Sequence, residues 1–223
     1  MASTGAPNRP LPPVVVQVRG EGALFTRPEQ RVERVSYPVM TPSAAVGVLE
    51  SIYWRPEFRW VPERIEVLRP IQQFSIFRNE THDLPSLADA VGKGKRIDTV
   101  ANRDQRSALC LRDVEYRIHA QVELARHATK PAAAYRDQFR RRVTRGSCFQ
   151  QPFLGTREFS ADFFDRDDRA PITVNMDLGV MLHRIHYGPP ARFDFFTAQL
   201  TAGVLHIPAQ GIPGDAAMVA GVA

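Results

Sequence analysis

The stretch Val114-Glu115-Tyr116-Arg117-Ile118-His119-Ala120-Gln121-Val122 alternates apolar and polar residues without interruption. Successive side chains of a β-strand point to opposite faces, so this alternation predicts a long strand over residues 107–124. Its apolar face runs from Val114 to Val122, and its other face carries charged and polar side chains. The elements on either side of this strand determine the fold class.

Three elements are predicted before this strand. Residues 14–20 are rich in β-branched valine and end at a glycine, which indicates a first strand. A helix is predicted over residues 41–54, because Thr41 can cap it, Pro42 suits its first turn and apolar residues recur at helical spacing. Residues 58–71 alternate again and are predicted to form a second strand.

Residues 72–105 separate the second strand from the long strand and differ in character. The segment has little apolar periodicity, and Lys93 and Lys95 lie in a basic cluster within it. Long irregular insertions in compact domains are usually functional or disordered. We therefore predict an inserted arm or loop whose basic tip contacts a nucleic-acid backbone, with a solvated turn as the alternative.

A second helix and further strands are predicted after the long strand. Residues 131–145 place Tyr135, Phe139 and Val143 at steps of four, and Gly146 ends the helix. Arginines occupy the rest of its surface. The strand candidates that follow are residues 153–159, 173–177, 180–187 and 193–207, the last with a break near residues 201–203.

This order of elements is strand, helix, strand, strand, helix, strand, which is the order of a ferredoxin-like domain, the scaffold of the RNA-recognition motif. The predicted fold is therefore α+β, ferredoxin-like, with an inserted arm and an appended C-terminal antiparallel β-sheet. The expected divisions are a flexible lead 1–13, an RNA-binding domain 14–160 with its arm at about 72–105, a β-sheet 161–208 and a flexible tail 209–223.

The charge balance favours an anionic partner. The chain has 29 Lys and Arg against 24 Asp and Glu, a net charge of +5, and 26 of its cationic residues are arginine. Arginine binds phosphate oxygens bidentately and stacks on bases, which suits nucleic acid. A coding bias toward arginine and alanine is the alternative explanation.

Several other classes are excluded by the sequence. Its apolar runs are much shorter than the roughly 18 residues of a membrane span, and residues 1–13 lack the apolar core of a secretory signal. We expect a soluble, cytoplasmic protein that does not contact a membrane. There is no HExxH, CxxC, GxSxG or phosphate-loop motif, so no metal or other cofactor is expected.

Two basic patterns are typical of RNA-binding surfaces. The run Arg140-Arg141-Arg142 is extended by Arg136 and Arg145 over nearly three helical turns, although such runs are often solvated helix faces. Aromatic and basic residues interleave at Phe58-Arg59-Trp60 and Phe77-Arg78. Such pairs can stack on bases and neutralise phosphates, although aromatic strand residues are usually core.

Longer words of the sequence resemble one family. They are Leu24-Phe25-Thr26-Arg27-Pro28-Glu29, Val35-Ser36-Tyr37-Pro38-Val39-Met40-Thr41-Pro42-Ser43-Ala44-Ala45, Glu50-Ser51-Ile52-Tyr53-Trp54-Arg55-Pro56-Glu57-Phe58-Arg59-Trp60, Phe139-Arg140-Arg141-Arg142 and Cys148-Phe149-Gln150-Gln151-Pro152-Phe153-Leu154-Gly155. Together with shorter matches, they resemble the type I-C CRISPR-associated Cas-five family over roughly residues 14–205.

The resemblance implies a function. The protein would cut CRISPR precursor RNA within its repeats and stay on the 5′ handle as a subunit of the interference complex, beside Cas-seven backbone subunits and the large Cas-eight subunit. Target DNA would be met through that complex. A handle-binding subunit that does not cleave is the alternative, and an unrelated basic enzyme on the same scaffold is a third hypothesis. The candidate RNA-binding residues are Arg27, Arg55, Arg59, Arg78, Lys93, Lys95, Arg136, Arg140, Arg141, Arg142 and Arg145.

The family's chemistry, by the same resemblance, needs no metal. The ribose 2′-OH attacks the adjacent phosphate, a basic side chain assists, and a cation stabilises the phosphorane. The residues associated with cleavage are a tyrosine, carried here by Tyr53, and a lysine followed by His or Tyr at the start of the second helix. Those last two positions correspond to Ala134 and Tyr135, so the lysine is absent.

The missing lysine leaves three explanations open. Lys130, our candidate substitute, or His127 supplies the cation, or this chain binds RNA and cleaves poorly, or position 134 has been altered. A tyrosine has a pKa near 10, so Tyr53 alone is a poor base at pH 7 unless a cation lies nearby. A packing role for Tyr53 is the alternative. Val46 and Phe77 also depart from the family pattern, which usually has basic residues there.

Overall fold

The computed structural model describes residues 11–30, 32–81, 86–94, 96 and 98–214. Lys95, most of the expected lead and the last nine residues of the expected tail lie outside the described residues. The elements are β1 (Val14–Ala23), β2 (Arg34–Val35), α1 (Pro42–Ile52), β3 (Phe58–Val67), β4 (Gln72–Thr81), α2 (Leu87–Lys93), β5 (Arg103–Leu124), α3 (Ala132–Thr144), β6 (Asp162–Phe164), β7 (Met176–His186), β8 (Arg192–Thr201), β9 (Val204–His206) and β10 (Ile212–Gly214).

The described strands form a mostly antiparallel sheet in the order β10-β8-β9-β3-β5-β1-β6. Off this path, β2 and β4 pair with β5, and β7 pairs with β8. The 22-residue β5 is the longest described strand and joins β1, β3 and β4. The predicted α+β class is confirmed, as is the long strand at residues 107–124.

The apolar face of β5 is covered by helices. Ile118 lies opposite Val16 of β1 on one side and Ile65 of β3 on the other, and all three are fully buried. The buried face that the alternation predicted for β5 therefore extends over its neighbours β1 and β3, whose apolar residues lie beside those of β5. Helix α3 buries Phe139 on this layer, 4.7 Å from the Trp60 ring between centroids, and α1 packs beside it.

Helix α1 begins at the predicted cap and ends two residues before the predicted end at Trp54. The Thr41 side chain accepts a hydrogen bond of 3.2 Å from the Ala44 N–H, and Pro42 occupies the first turn. The helix ends at Ile52, and Tyr53 returns to extended backbone. Helix α3 likewise ends one residue before Arg145, and Gly146 follows with a φ of 63°, a conformation that glycine adopts without strain.

The arm at residues 72–105 is more regular than predicted. Strand β4 pairs along its whole length with residues 103–112 of β5, and α2 follows it. Phe74 and Ile76 of β4 pack on a small second core of Leu24, Ala108 and Cys110. The prediction missed this pairing because the apolar residues of β4 are few and the pairing partner lies about 30 residues away along the chain.

Two strand predictions in the C-terminal half are wrong. Residues 153–159 form turns with a single bridge between Phe153 and Ser160, because Gly155 at φ 87° passes so close to Leu24 that an added Cβ would lie 2.0 Å from its carbonyl oxygen. Strand β6 follows instead. Residues 173–177 form no separate strand, and β7 begins at Met176. The predicted break near residues 201–203 is confirmed as the two-residue turn between β8 and β9.

The polar face of β5 is also buried. Glu115, Arg117 and His119 are exposed by only 2%, 6% and 2%. Arg117 donates to Glu66 Oε2 at 2.5 Å and to Asp167 Oδ1 at 2.9 Å. It also donates to the main-chain carbonyls of residues 167 and 169. The segment 165–171, which is neither helix nor strand, therefore lies across the polar face of the sheet.

A second set of contacts holds Glu115. Its carboxylate accepts from Gln17 at 2.6 Å, from Arg69 at 3.0 Å and from Arg169. Burial alone would raise the pKa of Glu115, but these donors bring it below its usual range. The buried charges of this face are therefore paired and carry a structural role. No helix in the described part of the chain is long and apolar enough to cross a membrane.

Candidate active site and basic surface

Tyr53 lies where α1 ends and is only 7% exposed. Its N–H donates to the Leu49 carbonyl at 2.9 Å, and its own carbonyl accepts from the Trp60 indole at 2.9 Å. Its ring packs on Phe58 at 5.6 Å between centroids. The backbone and ring of Tyr53 are therefore held on both sides by the core.

Arg142 of α3 is the cation beside Tyr53. Its guanidinium carbon lies 5.3 Å from the centroid of the Tyr53 ring, within cation–π range. Its Nη1 donates to the Ile52 carbonyl at 2.9 Å, one of the carbonyls that the end of α1 leaves without a helical partner. The negative end of the helix dipole also favours a cation there. These contacts fix a positive charge next to the Tyr53 ring.

Tyr53 and Arg142 line an open cleft of about 470 Å³. Trp54 and Phe149 contribute exposed aromatic surface to it, with exposures of 53% and 80%. The Phe149 and Gln150 N–H groups both donate to the Ser51 carbonyl, at 2.8 and 3.1 Å, which holds their loop against α1. The full lining is Gly47, Glu50, Ser51, Tyr53, Trp54, Arg55, Arg142, Phe149, Gln150 and Phe153.

Sequence reasoning assigned no role to most of these residues, among them Glu50, Trp54, Phe149 and Gln150. All four lie in the family-like words at residues 50–60 and 148–155, and exposed aromatic residues next to arginine could have been the signal. The two words lie about 90 residues apart, so only the fold brings them together.

Tyr135 is buried away from this cleft, with 2% exposure. Its ring packs on Phe58 at 5.0 Å between centroids, so Phe58 contacts both Tyr53 and Tyr135. Burial and the nearby Glu57 carboxylate raise the pKa of Tyr135. The Tyr135 hydroxyl is therefore neutral at pH 7 and cannot act as a base without losing a strongly held proton.

Lys130 and Ala134 lie at the start of α3. Lys130 is exposed in the loop before the helix, and Ala134 is half-buried in the first turn. Neither lines the cleft of Tyr53. The structure thus brings Arg142 next to Tyr53, places Lys130 and Ala134 at the start of α3, and buries Tyr135 beneath them.

The arginines of α3 divide into three groups. Arg140, Arg141 and Arg145 are exposed, and Arg142 faces Tyr53. Arg136 is 3% exposed and donates to the Pro12 carbonyl, so the expectation that it belongs to the exposed basic face is wrong. It packs beneath the segment that leads into β1, and that segment shields it from solvent while Arg140, one turn further along the same side of the helix, is exposed.

The remaining candidate RNA-binding residues are scattered and mostly paired. Arg59 donates twice to Glu123, Arg78 pairs with Glu158 at 2.9 Å, and Arg27 pairs with Glu29 at 3.6 Å while lying over the Tyr37 ring. Lys93 of α2 is exposed and pairs with Asp89 at 3.0 Å. Arg55 is exposed and lines the cleft of Tyr53.

Metal ligands are not clustered in the described part of the chain, where no three His, Cys, Asp or Glu side chains could hold one ion. Cys110 and Cys148 are both free thiols. His186 pairs with Asp194 at 2.6 Å, and His183 contacts the Pro208 carbonyl at 2.9 Å.

Comparison with known proteins identifies the family of this chain. A family model for CRISPR-associated proteins, Cas_Cas5d, matches residues 14–207. Relatives from Mannheimia succiniciproducens and Thermus thermophilus, both named CRISPR pre-crRNA endoribonuclease Cas5d, are 40% and 41% identical. These alignments cover 86% and 87% of this chain and 93% and 91% of the relatives.

A solved crystal structure of a CRISPR-associated protein has the same fold, with a TM-score of 0.64 at 24% identity, covering 88% of this chain and 91% of that one. The fold and the family match together define a CRISPR-associated protein. Within that class, the chain belongs to the Cas5d family. The resemblance to the Cas-five family is therefore confirmed.

Proposed function

We propose that this protein cleaves CRISPR precursor RNA within its repeats, by metal-independent 2′-OH transesterification, and then stays bound to the 5′ handle. The observation that carries the proposal is Tyr53, held against Arg142 at the wall of an open cleft lined by exposed aromatic rings. Relatives about 40% identical are named as endoribonucleases for this RNA. This activity takes place in the cytoplasm, where the precursor RNA is transcribed.

The residues of the cleft match the needs of this reaction. The 2′-oxygen loses its proton and attacks the neighbouring phosphorus, the bond to the 5′-oxygen breaks, and that oxygen leaves with a proton as the 5′-hydroxyl. The products are a 2′,3′-cyclic phosphate and a 5′-hydroxyl end. Tyr53 lines the cleft, and its hydroxyl exchanges a proton with the RNA or donates to the phosphorane. Arg142 offers N–H groups beyond the one bonded to Ile52.

Arg142 can take the role of the missing lysine. A pentacoordinate phosphorane carries an extra negative charge, so a fixed cation nearby lowers its energy more than that of the substrate. In this arrangement Arg142 supplies that cation and Lys130 contacts the RNA from the neighbouring surface. Tyr135 holds the Tyr53 ring in place through Phe58, on which both rings pack. The exposed Arg55, Arg140, Arg141 and Arg145 bind the phosphate backbone.

We further propose that the domain is ferredoxin-like. Strands β6, β1, β5 and β3 are neighbours in that order and are antiparallel to one another, and the connections between β1 and β3 and between β5 and β6 contain α1 and α3. This is the strand order expected of the fold, with β4 and α2 as its arm. Strands β7 to β10 then form the appended C-terminal part of the sheet.

The partners follow from this proposal. The handle RNA is the first, and the Cas-seven backbone and Cas-eight large subunits of the type I-C complex are the others, with target DNA met through the complex. The arm supports a protein contact, because α2 presents Leu87 and Val91 with exposures of 80% and 81%. A chain that only binds the handle remains the second candidate, and Ala134 in place of a cation favours it.

Incubation with a cognate repeat RNA in EDTA, scored separately for cleavage and for retention, tests the main proposal. We expect cleavage, because Arg142 supplies the cation, and we expect Ala134→Lys to raise the single-turnover rate by about tenfold through added charge. Ala134→Gln is the matched control, since it adds length without charge. Retention of RNA without cleavage by either the parent or Ala134→Lys would support the binding-only candidate.

The exposed arginines of α3 make a second prediction. Arg140→Ala together with Arg141→Ala should flatten the dependence of RNA affinity on salt by about one unit of slope for each phosphate that is no longer neutralised. Folding should be unchanged, because both side chains are exposed and the partners described for them, Asp137 and Gln138, lie on the same helix. Binding titrations at several salt concentrations measure the slope. Arg126→Ala, at an exposed arginine in the loop before α3, is the control. An unchanged slope in the α3 variant would mean that Arg140 and Arg141 are solvated and do not contact RNA.

A further inference from the structure

Glu50 is a carboxylate at the cleft of Tyr53 that has no partner among the described residues. It is half-buried, and its side chain makes no ion pair or hydrogen bond to any residue that the structure describes. The other acidic side chains that lie inside the protein, Glu66 and Glu115, are each held by arginines. Burial raises the pKa of Glu50, which is the expected cost of an uncompensated carboxylate. Two acceptor oxygens are thus left for a donor that comes from outside the chain.

The surroundings of Glu50 fit a flat ring. Trp54 and Phe149 line the same cleft and keep more than half of their surface exposed. Adjacent exposed apolar surface of this kind is typical of ligand-binding grooves. Gly47 lies one turn before Glu50, and a Cβ added there would meet nothing within 4 Å. The side of the cleft next to α1 is therefore open.

We propose that this cleft binds one unpaired guanine of the RNA beside the scissile phosphate. Trp54 and Phe149 stack on the base, and the two Glu50 oxygens accept from its N1–H and its N2 amino group. This inference rests on the proposed function and names the base that the site selects. Stacking on aromatic side chains and hydrogen bonding to the Watson–Crick edge is how proteins read single-stranded RNA.

Guanine is preferred among the four bases because of its donors. Its Watson–Crick edge presents two adjacent N–H donors, which match the two oxygens of one carboxylate. Adenine and cytosine each present a single amino group on that edge, and uracil presents a single imide N–H. With any of these three, one Glu50 oxygen faces an acceptor or nothing, and the mismatch costs affinity.

RNA is favoured over a protein side chain as the occupant. An arginine or lysine from a partner protein would also satisfy Glu50, but Arg55 and Arg142 line the same cleft and would repel it. Those two cations instead attract the phosphates on either side of the bound nucleotide. The cleft therefore combines cations for the backbone with an acceptor and rings for one base.

The test uses a repeat RNA in which each unpaired position near the cleavage site carries A, C, G, U or inosine in turn. Inosine lacks only the N2 amino group. We expect the protein to bind the guanosine form at one position about tenfold or more tightly than the inosine form, measured in EDTA. Glu50→Gln should abolish that preference, because an amide has one acceptor oxygen. Glu63→Gln, an exposed glutamate outside the cleft, should keep the preference.

A second variant tests the stacking surface. Phe149→Ala removes an 80% exposed ring and should not affect folding, but it should weaken binding of the guanosine RNA by about tenfold. If Glu50→Gln keeps the guanosine preference, or if no position shows one, while RNA is still bound and cleaved, the guanine site is wrong and the proposed function stands. Failure of the parent protein to bind any repeat RNA would overturn both.

Discussion

Tyr53→Phe is expected to slow cleavage of repeat RNA by about 100- to 1000-fold while changing RNA affinity by less than about twofold. The substitution removes one hydroxyl and keeps the ring. Its packing on Phe58 and the guanidinium of Arg142 over its face are therefore preserved. Only an interaction made in the transition state is removed, so the rate falls and binding does not.

Single-turnover cleavage in EDTA, with binding measured on an RNA that carries a 2′-deoxy substitution at the cleavage site, separates the two effects. The 2′-deoxy RNA cannot react and so reports affinity alone. Tyr187→Phe is the matched control, because Tyr187 is 88% exposed and lies outside the cleft. An unchanged rate in Tyr53→Phe would leave this tyrosine with a packing role only.

Arg117→Met is expected to destabilise the fold by about 3 to 5 kcal/mol, lowering the melting temperature by roughly 6 to 20 °C. The arginine is 6% exposed and serves Glu66, Asp167 and two main-chain carbonyls at once. Methionine fills much of its volume but leaves the buried Glu66 charge without its closest donor. The cost therefore comes from the charge left behind.

A double variant distinguishes this explanation from a loss of packing. Arg117→Met combined with Glu66→Gln should recover part of the stability, since the stranded charge is gone. Arg126→Met, at an exposed arginine, should change stability by less than about 0.5 kcal/mol. Denaturant unfolding measures all four proteins. If Arg117→Met alone costs less than about 1 kcal/mol, the network does not hold the segment 165–171 on the sheet.

The same network makes stability depend on pH. Hydrogen bonds from Gln17 and Arg169 outweigh burial and lower the pKa of Asp167 to about 2, and burial lowers the pKa of His119 to about 4. Both groups bind protons more readily in the unfolded chain. Their contribution is complete above the unfolded pKa of histidine, about 6.5, and is lost as the pH falls from there toward 2. Acid should therefore destabilise the parent protein more than Arg117→Met, in which part of the network is already missing.

Local patterns were enough for the elements whose determinants are close together in the chain. The alternation from Val114 to Val122 predicted β5 because a half-buried strand must alternate, and Thr41 with Pro42 predicted the start of α1 because a helix needs its first N–H groups satisfied. Strand β4 and the turn at Gly155 were mispredicted, since their conformations depend on distant residues, Arg103–Arg112 and Leu24.

The sequence by itself determined the α+β class, the long strand, the two main helices and, through its longer words, the family. Only the tertiary structure decided which charged residues are buried, which contact Tyr53 and which are exposed to solvent. Among the neighbouring arginines of α3, position 136 is buried under the segment at Pro12, position 142 lies over Tyr53, and positions 140 and 141 are exposed. Positions 136 and 140 lie on the same side of the helix, so it is the distant segment at Pro12 that buries one and not the other. The sequence of the arginine run does not show which of its side chains are buried and which are exposed. The polar face of β5 is likewise buried because the distant segment 165–171 crosses it, a contact that no local pattern records.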